Sequence, residues 1–221
     1  MKVLLINGSP REHGNTFTAL SEVAKTLNEE NIETEIISIG KQAVQGCIAC
    51  GMCGREGKCT FRDELYFRVM RAVKDGIDGL IVGSPVYYGG PNGSLCALLD
   101  RVFYSLGNEL RFKPGASVVV CRRGGASAAF DRLNKYFTIL NMPVVSSQYW
   151  NMVYGQTPGL GDVVVAASSI STCREGGIEG GSRIEQLLAE GDDVVVLHGT
   201  QHPKNAKPRI RSSTDLIVII S

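Results

Sequence analysis

The chain has no apolar stretch that approaches the ~20 residues needed to cross a bilayer, and it has no excess of either charge. Its 23 Lys and Arg residues nearly balance its 22 Asp and Glu residues, which leaves a net charge of +1. Neither a membrane nor nucleic acid is therefore predicted as a partner. The short apolar start at residues 1–6 also lacks the basic end and cleavage site of a signal peptide. We expect a cytoplasmic protein.

The sequence also lacks the cysteine distribution of a disulfide-stabilised domain. It has seven cysteines, an odd number, and four of them crowd into thirteen residues: Cys47, Cys50, Cys53 and Cys59. A disulfide framework usually spreads its cysteines, whereas a tight cluster in a reducing compartment favours a metal site or a redox centre. Cys96 and Cys121 fall on segments predicted to face the core and are interpreted as small buried hydrophobes.

Short apolar runs alternate along the chain with segments of helical periodicity. Strands are predicted at residues 2–6, 32–39, 77–82, 116–121 and 144–150. In four of the connections between them, apolar residues recur at helical spacing, as at Leu20, Val23, Ala24 and Leu27. Runs that are apolar throughout are typical of parallel strands covered by helices on both faces.

This alternation predicts an α/β fold with a doubly wound, five-stranded parallel sheet, because the connections are long enough to hold right-handed helical crossovers. We expect the flavodoxin-like strand order 2-1-3-4-5, with a nucleotide-type ligand beyond the carboxyl ends of strands one, three and four. Residues 1–154 are predicted to form this domain. Residues 155–221 have many glycines and little periodicity, and we expect an irregular C-terminal extension there.

The loop at residues 8–16, between strand one and the first helix, carries groups that suit a phosphate. Ser9 and Thr16 supply hydroxyls, Asn15 supplies an amide at the helix start, and Arg11 supplies positive charge. The first backbone N–H groups of the helix add the positive end of its dipole. The spacing matches neither a dinucleotide-binding glycine motif nor a P-loop, so an ordinary turn capped by Asn15 is the alternative.

Two further loops follow strands three and four. Residues 83–92 combine Gly and Pro with the adjacent Tyr87 and Tyr88, which favours a rigid backbone edge and aromatic surface for a flat ring. Residues 122–125 are Arg-Arg-Gly-Gly, in which glycine permits close approach and an arginine can stabilise an anionic ring. The alternative for residues 83–92 is a plain turn with a buried tyrosine. The alternative for residues 122–125 is a solvated charged turn.

Three motifs together resemble the NADPH-dependent FMN reductase-like family of flavodoxin fold, over about residues 1–154. They are Gly-Ser-Pro-Arg-x-x-Gly-Asn-Thr at 8–16, Ser-Pro-Val-Tyr-Tyr at 84–88 with Asn92, and Leu-Asp-Arg at 99–101. The resemblance implies FMN, with its phosphate at Ser9, Arg11, Asn15 and Thr16. It implies that the isoalloxazine ring lies at Pro85, Val86, Tyr87, Tyr88 and Gly89, with Asn92 nearby and Arg123, Gly124 and Gly125 on the other side. It also implies a homo-oligomer, a dimer or tetramer.

The cysteine spacing, Cys-x2-Cys-x2-Cys-x5-Cys, resembles the compact motif of the iron–sulfur flavoprotein branch of this family. That branch implies a [4Fe–4S] cluster beside FMN, and here the ligands would be Cys47, Cys50, Cys53 and Cys59. Three alternatives stay open: a structural zinc, free thiols in a loop that kept no cluster, and a redox disulfide pair.

The function that follows is an FMN-dependent oxidoreductase that takes electrons from NAD(P)H or ferredoxin and passes them to a small molecule or a protein. No side chain is predicted to act as a catalytic acid or base. One alternative is a pure electron carrier without a substrate of its own. The other is an interaction module that has lost FMN and holds zinc in its cysteine loop. Asp100 and Arg101 are expected to form an ion pair at a helix end or a subunit contact.

Overall fold

The architecture is that of a computed structural model, which describes residues 1–61, 63–146 and 150–155 and the backbone of residues 164 and 165. The helices in this part of the chain are α1 (Asn15–Glu29), α2 (Cys53–Glu56), α3 (Glu64–Lys74), α4 (Gly93–Ser105), α5 (Gly107–Leu110) and α6 (Ala126–Ile139). The strands are β1 (Lys2–Asn7), β2 (Glu33–Ser38), β3 (Gly79–Tyr87), β4 (Gly90–Pro91), β5 (Gly115–Cys121), β6 (Met152–Tyr154) and β7 (Val164–Val165).

The sheet has the order that the sequence predicts. Its path is β2-β1-β3-β5-β6, with all of these strands parallel, and this order is the flavodoxin-like 2-1-3-4-5 once the short β4 is set aside. Two short strands lie outside the predicted five, and both are antiparallel: β4 pairs with β3, and β7 pairs with β6. The α/β doubly wound fold is confirmed.

Alternate residues of β1 enter two separate cores, which is why this strand is apolar throughout. Val3 and Leu5 pack with α1 on one face of the sheet, and Leu4 and Ile6 pack with α3, α4 and α6 on the other. A strand with helices on both faces has no side for polar side chains to face water. Polar groups that could bind a ligand are therefore found in the loop beyond the carboxyl end of β1.

The third strand is longer than predicted, because its ladder does not stop at Gly83. Ser84 and Pro85 still pair with Val119 and Val120 of β5, and the strand continues to Tyr87 by pairing with β4. The glycine and proline that suggested the end of the strand are accommodated inside it.

The fifth strand was predicted at residues 144–150, and this placement is wrong. Val144 makes only an isolated bridge to Gly115, and the strand itself starts at Met152, opposite Val119. Eight residues of this segment thus span the same stretch as four residues of β5. An apolar pattern does not reveal this difference in spacing between the two pairings.

The predicted C-terminal extension, residues 155–221, lies outside the described residues apart from Gly155 and the backbone of β7. In the described part, no helix is both long enough and apolar enough to cross a bilayer.

Candidate functional site

The first predicted loop leaves β1 at Asn7 and is shaped by its own polar groups. Asn7 Oδ1 accepts a hydrogen bond from the Ser9 N–H at 3.1 Å, and Ser9 Oγ accepts one from the Arg11 N–H at 3.1 Å. Gly14 closes the turn by donating to the Arg11 carbonyl at 3.4 Å. Ser9 is buried and Arg11 is exposed. The turn ends at the amino end of the 15-residue α1, where the helix dipole favours an anion.

Asn15 and Thr16 begin α1 at the base of this loop. Thr16 is 2% exposed, and Asn15 Oδ1 is buried without a hydrogen-bond partner among the described residues. A buried amide with an unpaired atom is costly unless a ligand or water completes its hydrogen bonding. Because the O and N positions of an amide interchange, Asn15 can offer either a donor or an acceptor there.

Gly155 is a site residue that the sequence analysis did not identify. It follows β6 and donates its N–H to the Cys121 carbonyl at 3.0 Å. A Cβ on Gly155 would lie 2.3 Å from Asn15 Nδ2, so only glycine lets this backbone approach the amide. The end of β6 therefore forms one wall beside the first loop.

The first and second loops are joined directly. The Gly8 N–H donates to the Gly83 carbonyl at 2.7 Å, which links the ends of β1 and β3. Asn92 Nδ2 donates to the Gly8 carbonyl at 2.8 Å, and the Asn92 N–H donates to Ser84 Oγ at 3.0 Å. Asn92 Oδ1 also caps α4 by accepting from the Ser94 N–H at 3.1 Å. Asn92 is thus a buried junction between the loops as well as a helix cap.

The second loop is a tight hairpin. Val86 pairs with Pro91 and Tyr87 pairs with Gly90, which leaves Tyr88 and Gly89 as a two-residue turn. Both turn residues have positive φ, 51° at Tyr88 and 76° at Gly89, the pattern that type I′ hairpins require. A tyrosine is strained in this region, and this one is fully exposed at the tip. The aromatic surface predicted for a flat ring is therefore held out from the sheet by the backbone.

The third loop lies against the second. Gly125 has φ +85°, and a Cβ placed on it would lie 2.9 Å from the Gly89 Cα and 3.3 Å from Val86. Gly124 has open space around it, and Arg122 and Arg123 before it are exposed. The glycines thus allow the two loops to meet, and the arginines stay free to face a ligand.

The three predicted loops are therefore brought together at one rim of the sheet. Their residues fit FMN: a turn at a helix amino end with an orphaned buried amide suits the phosphate, and a glycine-lined backbone with exposed tyrosines suits the ring. The predicted residues that the structure gathers along this rim are Ser9, Arg11, Asn15, Thr16, Pro85, Val86, Tyr87, Tyr88, Gly89, Asn92, Arg123, Gly124 and Gly125.

The four predicted cluster ligands are not brought together in the same way. Cys47 and Cys50 are exposed, and Cys53 and Cys59 are half-buried. Cys47 Sγ accepts the Ala49 N–H at 3.4 Å, the kind of contact that suits a thiolate. Yet in the described ranges no three His, Cys, Asp or Glu side chains come close enough to hold a metal ion. As arranged, the loop does not fit a [4Fe–4S] cluster.

Arg101, on α4, contacts both ends of residues 45–61, the cysteine loop, a role that was not predicted from the sequence. Its side chain is fully buried, and it pairs with Asp63 Oδ2 at 2.5 Å instead of with its neighbour Asp100. Its guanidinium also donates to Cys59 Sγ at 3.3 Å, to the Gln45 carbonyl at 3.2 Å and to the Phe61 carbonyl at 3.3 Å. Arg101 lies three residues after Leu98, within the apolar stripe of α4, and a charge at such a position was the available signal.

The charge of Arg101 is secure despite its burial. Burial acts to lower the pKa of its guanidinium, but the hydrogen bond to Cys59 and the bond and charge of Asp63 outweigh this effect and raise the pKa above its ordinary value. Asp63 Oδ1 meanwhile caps α3 by accepting the Tyr66 N–H at 2.9 Å. One carboxylate therefore fixes both the arginine and the start of a helix.

Asp100 has a different partner from the one predicted. Tyr136 donates its hydroxyl to Asp100 Oδ1 at 2.5 Å, and Arg132 approaches both groups from α6. Burial, and then this hydrogen bond, raise the pKa of Tyr136, so its hydroxyl stays protonated. Burial also raises the pKa of the Cys96 and Cys121 thiols; Cys121 is buried as predicted, and Cys96 is half-buried.

Comparison with solved structures gives the same fold. RosB, with bound 8-demethyl-8-formylriboflavin-5'-phosphate, superposes with a TM-score of 0.55 at 14% identity, over 99% of each chain. FerB of Paracoccus denitrificans, a flavoenzyme NAD(P)H:(acceptor) oxidoreductase, superposes with a TM-score of 0.51 at 19% identity, over 67% of this chain and 77% of its own. At such identities the likeness shows the fold alone.

Comparison of sequences is more specific. An iron-sulfur flavoprotein of Methanocaldococcus jannaschii is 40% identical over 167 residues, 72% of this chain and 86% of that protein. An iron-sulfur flavoprotein of Methanosarcina thermophila is 31% identical over 182 residues, 77% of this chain and 93% of that protein. The family profile of NADPH-dependent FMN reductase matches residues 1–157. The chain belongs to the NADPH-dependent FMN reductase family and is an FMN-dependent oxidoreductase.

Proposed function

We propose that the rim formed by the three loops holds FMN and that the protein transfers electrons from NAD(P)H or reduced ferredoxin to a small-molecule or protein acceptor. The observation that carries this proposal is the direct contact between the three loops, through Gly8, Gly83 and Asn92 on one side and Gly89 and Gly125 on the other. A cradle built from strand ends that already touch needs little rearrangement to bind a flat ligand.

At the phosphate end, the protein supplies donors and positive charge. Ser9 and Thr16 lie beside the amino end of α1, and Arg11 stands exposed at the mouth of the turn. The unpaired amide of Asn15 would complete its hydrogen bonding on the ligand. These groups favour a doubly charged phosphate over an uncharged riboflavin tail.

At the ring end, the protein supplies a rigid edge and a charge. The backbone of residues 85–89 lies along the hairpin, and Tyr87 and Tyr88 offer aromatic surface to the ring. Bound FMN supplies hydride and single-electron chemistry, and the protein sets its potential and access. Arg123, exposed beside Gly125, would favour the anionic reduced ring over the neutral oxidised one.

A [4Fe–4S] cluster on Cys47, Cys50, Cys53 and Cys59 belongs to the same proposal. Its support is the cysteine spacing, together with the names of the curated relatives, which are iron-sulfur flavoproteins. In the described part of the chain these thiols do not converge on one centre, so they would have to move together to hold it. A cytoplasmic location and a dimeric or tetrameric state stay predictions.

The first test is anaerobic reduction of the FMN-loaded protein. We expect one FMN per chain. NADPH should bleach the flavin absorption at least as fast as the enzyme turns over in the steady state, and adding a quinone or oxygen should restore the absorption. Reduction by ferredoxin alone, with NADPH and NADH both inert, would instead identify an electron carrier. A folded, colourless protein that takes up no FMN would contradict the proposal.

The second test concerns the cluster. After anaerobic reconstitution with iron and sulfide, we expect about four iron and four sulfide per chain and a broad absorption shoulder beside the flavin bands. A Cys50→Ser variant should lose the iron and keep the FMN, because Cys50 lies outside the flavin rim. Cys121→Ser, a buried cysteine outside the motif, is the matched control. Zinc in place of iron would overturn the cluster assignment and leave the FMN proposal unchanged.

The contact between the second and third loops gives a sharp prediction for FMN affinity. Gly125→Ala introduces a Cβ that meets the Gly89 backbone, and it strains a residue with φ +85° by about 1–2 kcal/mol. We expect FMN to bind at least about tenfold more weakly, which is ~1.4 kcal/mol. Gly76→Ala, which also has positive φ at +99° but open space around the new methyl group and a position away from the rim, should bind FMN as the wild type does. Equal affinities in a fluorescence titration of the two variants would show that the loop contact does not shape the site.

The strain at Tyr88 predicts a gain in stability with a loss of function. Tyr88→Asn introduces a residue that tolerates positive φ better than tyrosine does. The free energy of unfolding of the FMN-free protein, measured in urea, should therefore rise by up to ~1 kcal/mol. FMN affinity and NADPH turnover should fall, because the ring loses an aromatic neighbour. Phe112→Asn is the matched control, since Phe112 is also exposed with φ +66° but lies before β5, at the opposite edge of the sheet. Phe112→Asn should gain stability without any loss of FMN affinity. If Tyr88→Asn binds FMN as tightly as the wild type, Tyr88 does not contact the ring.

A further inference from the structure

A single buried side chain joins the first loop of the rim to the second. Asn92 directly follows β4, the returning strand of the hairpin, and it is 7% exposed. Its Nδ2 donates to the Gly8 carbonyl at 2.8 Å, across 84 positions of sequence. Gly8 comes immediately before Ser9, the first hydroxyl residue of the turn that suits a phosphate. The two loops are thus connected through one amide group.

All four polar atoms of Asn92 have a partner within the protein. In addition to the bond from Nδ2, the N–H donates to Ser84 Oγ at 3.0 Å. The Oδ1 atom accepts the Ser94 N–H at 3.1 Å, and the carbonyl accepts the Cys96 N–H at 3.0 Å. A side chain whose polar atoms are satisfied internally gains little from a ligand. Asn92 therefore suits the task of holding the loops better than that of touching the flavin.

Gly8 is fixed by its other contacts as well. Its N–H donates to the Gly83 carbonyl at 2.7 Å. A Cβ placed on Gly8 would lie 2.4 Å from Leu95 Cδ2 and 2.6 Å from the Gly83 carbonyl oxygen, so only glycine lets β3 and α4 close on the start of the first loop. Because Gly8 is buried, its carbonyl would stay unpaired without the Asn92 amide unless the loop moved to expose it to water.

We propose that Asn92 is a positioning residue that sets the distance between the phosphate end and the ring end of the FMN site. The inference rests on the proposed function, which takes the first loop as the phosphate end and the hairpin as the ring end. A ligand that spans both ends needs them at the spacing that its own chain allows, whereas a ligand that occupies one end does not. The Asn92 amide should therefore matter for FMN and be neutral for either part of FMN alone.

The test compares three probes, FMN, riboflavin and inorganic phosphate, on the wild type and on Asn92→Ser. Serine still caps α4 and keeps the backbone N–H to Ser84, but it lacks the amide that reaches Gly8. We expect FMN to bind about tenfold more weakly, as befits the loss of one buried hydrogen bond. Riboflavin, in a fluorescence titration, and inorganic phosphate, measured by its competition with FMN, should bind as they do to the wild type.

Asn134→Ser is the matched control. Asn134 lies in α6, and its Oδ1 accepts a hydrogen bond at 2.8 Å from Ser117 Oγ, four residues before the end of β5. The same substitution there removes a side-chain hydrogen bond of the same length away from the rim. All three probes should bind Asn134→Ser as they bind the wild type.

The outcomes separate this inference from the proposed function. If the wild type binds FMN and Asn92→Ser binds it equally tightly, the inference fails and the proposed function stands. Equal weakening of FMN, riboflavin and inorganic phosphate in Asn92→Ser would assign Asn92 a general role in the fold and would also overturn the inference. A folded wild type that takes up no FMN would overturn both.

A second substitution covers the case in which Asn92→Ser does not fold, which urea unfolding of the FMN-free protein would reveal. Ser84→Ala keeps Asn92 and removes the hydroxyl that accepts its N–H. The Asn92 amide then has one support fewer, so FMN should bind more weakly, by a smaller factor, with inorganic phosphate unaffected. FMN affinity equal to that of the wild type in Ser84→Ala would overturn the inference.

Discussion

The architecture depends on a constraint of parallel sheets: the carboxyl ends of β1, β3 and β5 must emerge at the same edge. The loops that follow them are far apart in sequence, but the strand order places them side by side at this edge. The 2.7 Å hydrogen bond between Gly8 and Gly83, and the Asn92 amide that spans to Gly8, turn this proximity into one continuous backbone surface. The predicted flavin residues of the three loops lie along that surface.

This constraint explains how far the sequence could predict the site. The order of the strands and the faces of the helices follow from apolar periodicity, and once these are known the three loops must meet. The contacts through which they meet do not follow. Gly125 approaches Gly89 and Gly155 approaches Asn15 so closely that an added Cβ would lie within 2.9 Å and 2.3 Å of them, and these segments have no sequence relation. The start of β6 at Met152 was not predicted for a similar reason, because an apolar run does not show which of its residues pair.

Arg101 shows the other limit. The sequence places Asp100 beside it, and a neighbouring opposite charge is the obvious partner, yet the two side chains point to different surroundings. Asp100 meets Tyr136, and Arg101 turns into the core to meet Asp63. Burying an unpaired guanidinium costs several kcal/mol, so its orientation is set by where enough acceptors converge. Two of those four acceptors are backbone carbonyls of a loop, and no residue pattern predicts them.

The rim and the cysteine loop differ in how much the protein must rearrange to bind a ligand. At the rim the positive φ values of Tyr88, Gly89 and Gly125 are held by contacts within the protein, namely the pairing of β3 with β4 and the approach of Gly125 to Gly89. In the cysteine loop, the described His, Cys, Asp and Glu side chains form no group close enough to hold a metal ion. Preorganised sites lose little affinity to ordering, and unformed ones lose more. Flavin binding at the rim should hence need less rearrangement of the protein than metal binding in the cysteine loop would.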